Sequence, residues 1–139
     1  MPQAILSPML ALVLWTFVIW VWMYATRIPA MNAAGIDPGK IKQKGDLDVL
    51  PVRVKQIADN YNHLHEQPVL FYALCTWTVL GGAADHTNTM LAWGYVAARV
   101  VHSLVQCTFN FVPVRFTIFT LGTLMLMAMA GRCLMHLVG

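Results

Sequence analysis

From Met9 to Tyr24 the chain runs without a charged side chain, and three more apolar stretches follow it: Val69 to about Leu80, Met90 to about Cys107, and about Phe116 to Leu137. A helix needs roughly 20 residues to cross a hydrocarbon core of about 30 Å, and these stretches approach or reach that length. Only 11% of the residues are charged and 58% are hydrophobic, whereas ordinary soluble domains carry about 25% charged residues. A chain of 139 residues is too short for several spans and a separate soluble domain as well, so the spans are the fold. The sequence predicts an all-α integral membrane protein, a four-transmembrane-helix bundle forming one domain over 1–139. Its spans fall at about 8–26, 64–81, 89–108 and 115–137, with a cytoplasmic loop at about 28–50.

Ser7-Pro8 suits the start of the first helix, with an N-cap followed by a first-turn proline. Met1-Pro2-Gln3 carries no positive side chain, and basic residues follow the apolar run instead. The first stretch is therefore expected to be a retained anchor and not a cleaved signal peptide. Arg27, Lys40, Lys42, Lys44, Arg53 and Lys55 flank the connection between the first two spans, and Arg115 lies in the connection between the last two. The connection "GGAADHTNT" has no Lys or Arg, so the positive-inside rule puts both termini outside and the basic connections in the cytoplasm, with Arg132 as a small exception. The net charge of +3 then reflects topology, and with acids interspersed it makes no nucleic-acid patch. Cys75, Cys107 and Cys133 show no ligand spacing and read as small buried hydrophobes.

The second span is too short unless it borrows from the polar segment before it. A helix opened by Pro51 and running to Leu80 would be about 45 Å long, projecting its polar part into the cytoplasm, with a kink at Pro68. On it Lys55, Asp59, Asn62 and Glu66 follow at helical spacing and share a face expected to meet the next helix. The third span carries a matching stripe of Tyr95, Arg99, His102, Ser103, Gln106 and Asn110. Arg99 with Glu66 is the expected ion pair, with Asn62 and His102 nearby. An intramembrane charge is a functional-site hypothesis by default, although a buried pair can instead serve only to fix helix register. His63 and His65 point to different sides of a helix, and His102 and His136 fall in different halves of the bilayer. No metal or haem site is expected from them. Gly122, Ala128, Ala130 and Gly131 suit close approach of another helix, and four such helices enclose so little that a site between protomers is physically sensible.

"RVKQIADNYNHLHEQPVLFYALC" resembles the second-helix signature of the MAPEG superfamily, the membrane-associated proteins in eicosanoid and glutathione metabolism. There an arginine precedes an asparagine, a glutamate and a proline, here Arg53, Asn62, Glu66 and Pro68, with Asn60 a rival for the asparagine position. "ARVVHSLVQCTFNFVPVRF" is similar to the third-helix arginine and the entry to the fourth helix, and the wording is closest to bacterial members. In the familiar enzymes the asparagine, glutamate and proline are spaced by three and three, whereas here the spacings are four and two. Ser103 and Leu104 stand where an aromatic hydroxyl is usual.

The resemblance implies a homotrimer in the bacterial inner membrane, binding glutathione as co-substrate between subunits near the cytoplasmic boundary. It assigns Arg53 and Arg99 to carboxylates, Glu66 to the peptide's amine, Asn62 to its amides, and His102 to proton relay or to capping Glu66. Arg115 would be the catalytic cation holding the sulfur as a thiolate. The implied function is a glutathione-dependent transferase or peroxidase acting on lipophilic electrophiles drawn from the lipid bilayer. The alternative is a non-enzymatic membrane scaffold, or a lipid-binding or accessory subunit with the same fold.

Overall fold

The computed structural model describes residues 3–139, which fold into five α-helices and two short 3₁₀ turns, with no strand among the described residues. The helices are α1 (Gln3–Ala34), α2 (Val52–His63), α3 (Pro68–Leu80), α4 (His86–Cys107) and α5 (Val112–Val138). The first apolar run gives a helix longer than the sequence suggested. Ser7-Pro8 does not open it; α1 begins at Gln3 and holds Pro8 and Pro29 within its length. A proline there forfeits a single backbone bond, which a helix this apolar tolerates. The expected loop at about 28–50 is likewise shorter, because α1 continues to Ala34.

Gly35 ends α1 in the left-handed region, at φ 70°. Its N–H donates to Asn32 O at 3.2 Å, and the N–H of Ile36 donates to Met31 O at 3.0 Å. This is a Schellman cap, with Ile36 packed over Met31 in a small satellite core that also takes in Leu47, Leu50 and Val54. The connection is thereby fastened to the ends of α1 and α2. Gly82, at φ 75°, closes α3 in the same way, with Ala83 N–H donating to Thr78 O at 2.9 Å.

Between α2 and α3 the chain departs from expectation. Pro68 does not kink a continuous helix; it starts a new one at its first position, where a missing N–H is harmless. Residues 64–67 form a tight turn, in which His65 N–H donates to Asn62 O at 3.0 Å and Glu66 N–H to His63 O at 3.2 Å.

The core sits where α1, α3, α4 and α5 converge. Ile5, Leu12 and Ile19 give α1 one buried stripe in a core that also takes in Ile57 of α2, Phe71 and Cys75 of α3, Tyr95 and Val96 of α4, and Leu126 and Met129 of α5. Phe71 stacks on Tyr95 with ring centroids 4.8 Å apart. The most extensive interface joins α4 to α5, and Gly122 lies within it: a Cβ there would make ordinary contact, at 3.5 Å, with Ala98 Cβ and the Tyr95 ring. Outside this core, Leu10, Leu14, Phe17 and Val21 on α1 and Phe116, Leu124, Met127 and Leu134 on α5 are exposed. Two helices, Ala4–Ala34 and Val112–Val138, are long and apolar enough to cross a membrane, with mean hydropathy 2.2 and 1.6. A surface this apolar suits hydrocarbon or another protein chain, not water.

Candidate functional site

The polar interior lies where α2 meets α4 and α5. Asn60, His63 and Gln67 recur at helical spacing on the inner side of α2 and the following turn. Asn60 is fully buried and accepts from Ser103 Oγ at 3.2 Å. One turn outward, Arg99 Nη2 donates to His63 Nδ1 at 3.0 Å. A guanidinium has no acceptor to offer, so His63 must present a bare Nδ1 and carry its proton on Nε2. Further out, Tyr95 Oη donates to Gln67 Oε1 at 3.1 Å, and Gln67 Nε2 donates to Thr123 Oγ1 at 2.7 Å. This last bridge ties the α2–α3 turn to α5.

A cleft of about 190 Å³ opens beside these groups, lined by His63, His102, Val112, Arg115, Phe116 and Phe119. The His63 and His102 rings lie 5.1 Å apart, and the Arg99 guanidinium sits 6.0 Å from the centre of the Phe119 ring. Arg115 is steadied by its Nη1, which donates to Asn110 Oδ1 at 2.8 Å. Asn110 is itself held in the left-handed region at φ 51°, a conformation that asparagine tolerates.

Several buried atoms here have no partner: Arg99 Nε and Nη1, Arg115 Nε, Asn60 Nδ2, His102 Nδ1 and Gln106 Oε1. Four of the six are obligate N–H donors. Each buried donor left unpaired costs about 1–3 kcal/mol, so the cluster is poised for acceptors the chain does not itself supply. Arg99 is 1% exposed and His102 is 3% exposed. The Glu66 carboxylate, on the turn after α2, attracts Arg99 by charge without a direct ion pair.

Of the residues expected from sequence, the structure brings Arg99, His102 and Arg115 together. Arg53, Asn62 and Glu66 occupy exposed positions of α2 and the turn, with Glu66 near enough to act by charge on Arg99 and His63. The expected Arg99–Glu66 ion pair does not form; His63 takes the arginine instead. Nor does the face bearing Lys55, Asp59 and Asn62 look toward α4. It borders an open cleft of about 350 Å³ shared with Arg27, Asp48 and Asn110. The third-span stripe does turn inward, since Tyr95, Arg99, His102, Ser103 and Gln106 are all buried. Sequence reasoning assigned no role to His63, Gln67 or Phe119. The available signal was a second helical spacing, Asn60–His63–Gln67, interleaved with the more conspicuous charged stripe.

Along α5, one turn beyond Phe119, the α3–α5 seam opens into an apolar groove of about 430 Å³, bordered by Leu70, Leu74, Trp77, Leu126 and Met127 with Gln67 and Thr123 at one end. At the far end of the bundle a separate clasp joins α4 to α5. Arg132 Nη2 meets Asp85 Oδ2 at 2.5 Å, and Arg132 Nε donates to Asn88 Oδ1 at 2.9 Å. Asp85 also caps α4 by accepting from Asn88 N–H at 2.8 Å. That backbone donor above all holds the carboxyl below its ordinary 3.8, against an opposing effect of burial and with Arg132 adding to it.

The family profile of the MAPEG family matches residues 5–135. The chain belongs to the MAPEG family, whose membrane proteins serve eicosanoid and glutathione metabolism. No curated protein and no solved structure matches it.

Proposed function

We propose that the protein is a membrane-embedded, glutathione-dependent transferase or peroxidase acting on lipophilic electrophiles, with its site between subunits of a homotrimer near the cytoplasmic face. The observation that carries this reading is the cleft lined by His63, His102 and Arg115, with Arg99 bonded to His63 and an apolar groove further along α5, in a chain of this family. Arg115, oriented by Asn110 at the mouth of the cleft, favours the thiolate over the thiol because a nearby cation stabilises the anion. The sulfur lone pair then attacks the electrophilic carbon, a carbon–sulfur bond forms, and the leaving group departs with its electrons. With a hydroperoxide the sulfur attacks oxygen instead; a second thiol completes the reduction to alcohol, disulfide and water. Arg99 binds a carboxylate, and His102 carries the thiol proton away. The apolar groove holds the body of the lipophilic substrate. Arg53, Asn62 and Glu66 stand on surfaces that only a neighbouring copy would close, and they belong to the site only in the oligomer.

The test is turnover of a halodinitrobenzene with glutathione by the detergent-purified oligomer. Arg115→Ala is expected to lower kcat/KM by about 10²–10³, as loss of one preorganised donor to a developing anion does, while the elution volume of the oligomer stays the same. Absence of both turnover and glutathione-dependent stabilisation in a folded oligomer refutes the reading. A second reading, a non-enzymatic lipid-binding module, draws on the apolar groove alone. It predicts thermal stabilisation by phospholipid with no thiol chemistry.

A further inference from the structure

We propose that the open cleft between the ends of α1 and α2 is a phospholipid headgroup site, selective for a zwitterionic lipid with a primary amine. The phosphate lies on Arg27 and Lys55, and the ammonium group on Asp48. The inference stands apart from the thiol chemistry above, because none of these three residues lines the cleft of His63, His102 and Arg115.

The depth of the cleft in the bilayer follows from α1. Residues 4–26 carry no charged side chain, and at 1.5 Å per residue they extend about 35 Å, just past the hydrocarbon thickness of about 30 Å. Arg27, the first charged residue of the helix, therefore falls in the headgroup layer. Tyr24 and Trp20 stand about one and two turns before it, exposed, with their rings edge to face and centroids 5.0 Å apart. Such aromatic pairs sit at membrane boundaries. Leu14, Phe17, Val21 and Tyr24 follow at intervals of three and four and are all exposed, forming a stripe that ends beside Arg27. That stripe gives acyl chains a track leading to the cleft.

The cleft has the chemistry of a headgroup partner. It encloses about 350 Å³, within the range of small-ligand sites. Arg27 and Lys55 line it together with Asp48 and Asp59, and no aromatic ring does. Arg27 Nε is buried without a partner, so the guanidinium keeps an N–H for an acceptor the chain does not supply. Phosphate is the acceptor that its planar fork matches. Lys55 Nζ donates to the Asp48 carbonyl at 3.3 Å, which uses one of its three donors and ties α2 to the segment bearing Asp48. That segment is anchored as well, since Leu47 and Leu50 belong to the small core with Met31 and Val54.

Charge of both signs decides the class of lipid. The acids disfavour a headgroup that is only anionic, whereas a primary ammonium group donates to Asp48 in a charge-assisted bond. A trimethylated amine has no N–H to donate and is held by aromatic faces instead, which this cleft lacks.

The experiment titrates the delipidated, detergent-purified oligomer with dioleoyl phosphatidylethanolamine, phosphatidylcholine or phosphatidylglycerol in mixed micelles. Thermal melting reads the stabilisation, and native mass spectrometry counts the lipids retained. Phosphatidylethanolamine is expected to reach half-maximal effect at a mole fraction about tenfold or more below the other two, the difference one charge-assisted bond makes. Arg27→Gln should weaken its effect by about tenfold or more, Arg27→Lys should recover part of it, and Asp48→Asn should equalise the ethanolamine and choline lipids. Melting of each variant without lipid is the control for folding. Glycerophosphoethanolamine, the same headgroup without acyl chains, should act only at a far higher concentration; an equal effect makes the ligand a soluble phosphate and overturns the lipid assignment. Equal stabilisation by all three lipids overturns the selectivity. Stabilisation that survives Arg27→Gln overturns the site, because the lipid is then held by apolar surface alone. Displacement of bound phosphatidylethanolamine by glutathione overturns it too and gives the cleft to the peptide.

Discussion

Replacing Arg99 by Met tests whether the buried arginine binds ligand or only fixes the register of the helices. Methionine keeps the length and the packing but removes the charge and every donor. The loss is one hydrogen bond to His63 from a charged group, about 1.5–3 kcal/mol, and the contact with the Phe119 ring at 6.0 Å, about 0.5–2 kcal/mol. The gain is relief of two buried unpaired N–H groups, Nε and Nη1, at about 1–3 kcal/mol each. The midpoints of the two sides cancel to within about 1 kcal/mol, which for a chain of this size shifts Tm by about 5 °C or less. The variant should therefore remain folded and oligomeric in mild detergent, as read by circular-dichroism melting and size-exclusion chromatography, yet lose all stabilisation by glutathione. A register key behaves differently: breaking a buried pair that holds helices in place costs about 3–5 kcal/mol. Dissociation of Arg99→Met, or a fall in Tm well beyond 10 °C, refutes the ligand-site assignment.

The α4–α5 contact at Gly122 sets a second expectation. Gly122→Ala should be neutral or stabilising by up to about 1 kcal/mol, because its Cβ meets only ordinary contacts at 3.5 Å. Gly122→Leu should destabilise by about 1–3 kcal/mol through overpacking against Tyr95 and Ala98, and paired melting curves distinguish the two. At the opposite end, Asp85→Ala removes the α4 cap and should lower stability by about 0.5–2 kcal/mol. Since the Asp85 carboxyl is held below its ordinary 3.8 in the folded chain, its contribution is present above that value and lost as pH falls through the depressed one. Melting temperatures measured downward from pH 5 should show wild type and Asp85→Ala converging; a gap that persists below the depressed pKa contradicts the clasp.

Helix α5 and most of α1 were legible because unbroken apolarity leaves the chain few choices in hydrocarbon. The inward stripe of α4 was legible for a related reason: polar residues at intervals of three and four between apolar ones have only one sheltered side to turn to. The segment 52–67 was not, because it carries two polar stripes at equally good helical spacing. Lys55, Asp59, Asn62 and Glu66 are the more charged, and charge suggested partnership with Arg99. In the fold that same charge keeps them near water, and the amide, imidazole and amide of Asn60, His63 and Gln67 go inside because neutral groups are cheaper to bury. Periodicity gives a face but not its direction. The separation of α2 from α3 escaped for a more local reason, since a proline is compatible both with a kink and with a fresh first turn.

The turn at residues 64–67 has a consequence for how such a protein diversifies. It interrupts the backbone between His63, which meets Arg99, and Leu70, Leu74 and Trp77, which border the apolar groove. Because α3 begins afresh at Pro68, its bulk can be recut residue by residue without tilting α2 or disturbing the hydrogen bond between Arg99 and His63. Ancestry can thus rewrite the greasy half of a substrate's recognition while the charged half is inherited intact, with Gln67 as the stitch between two separately editable halves.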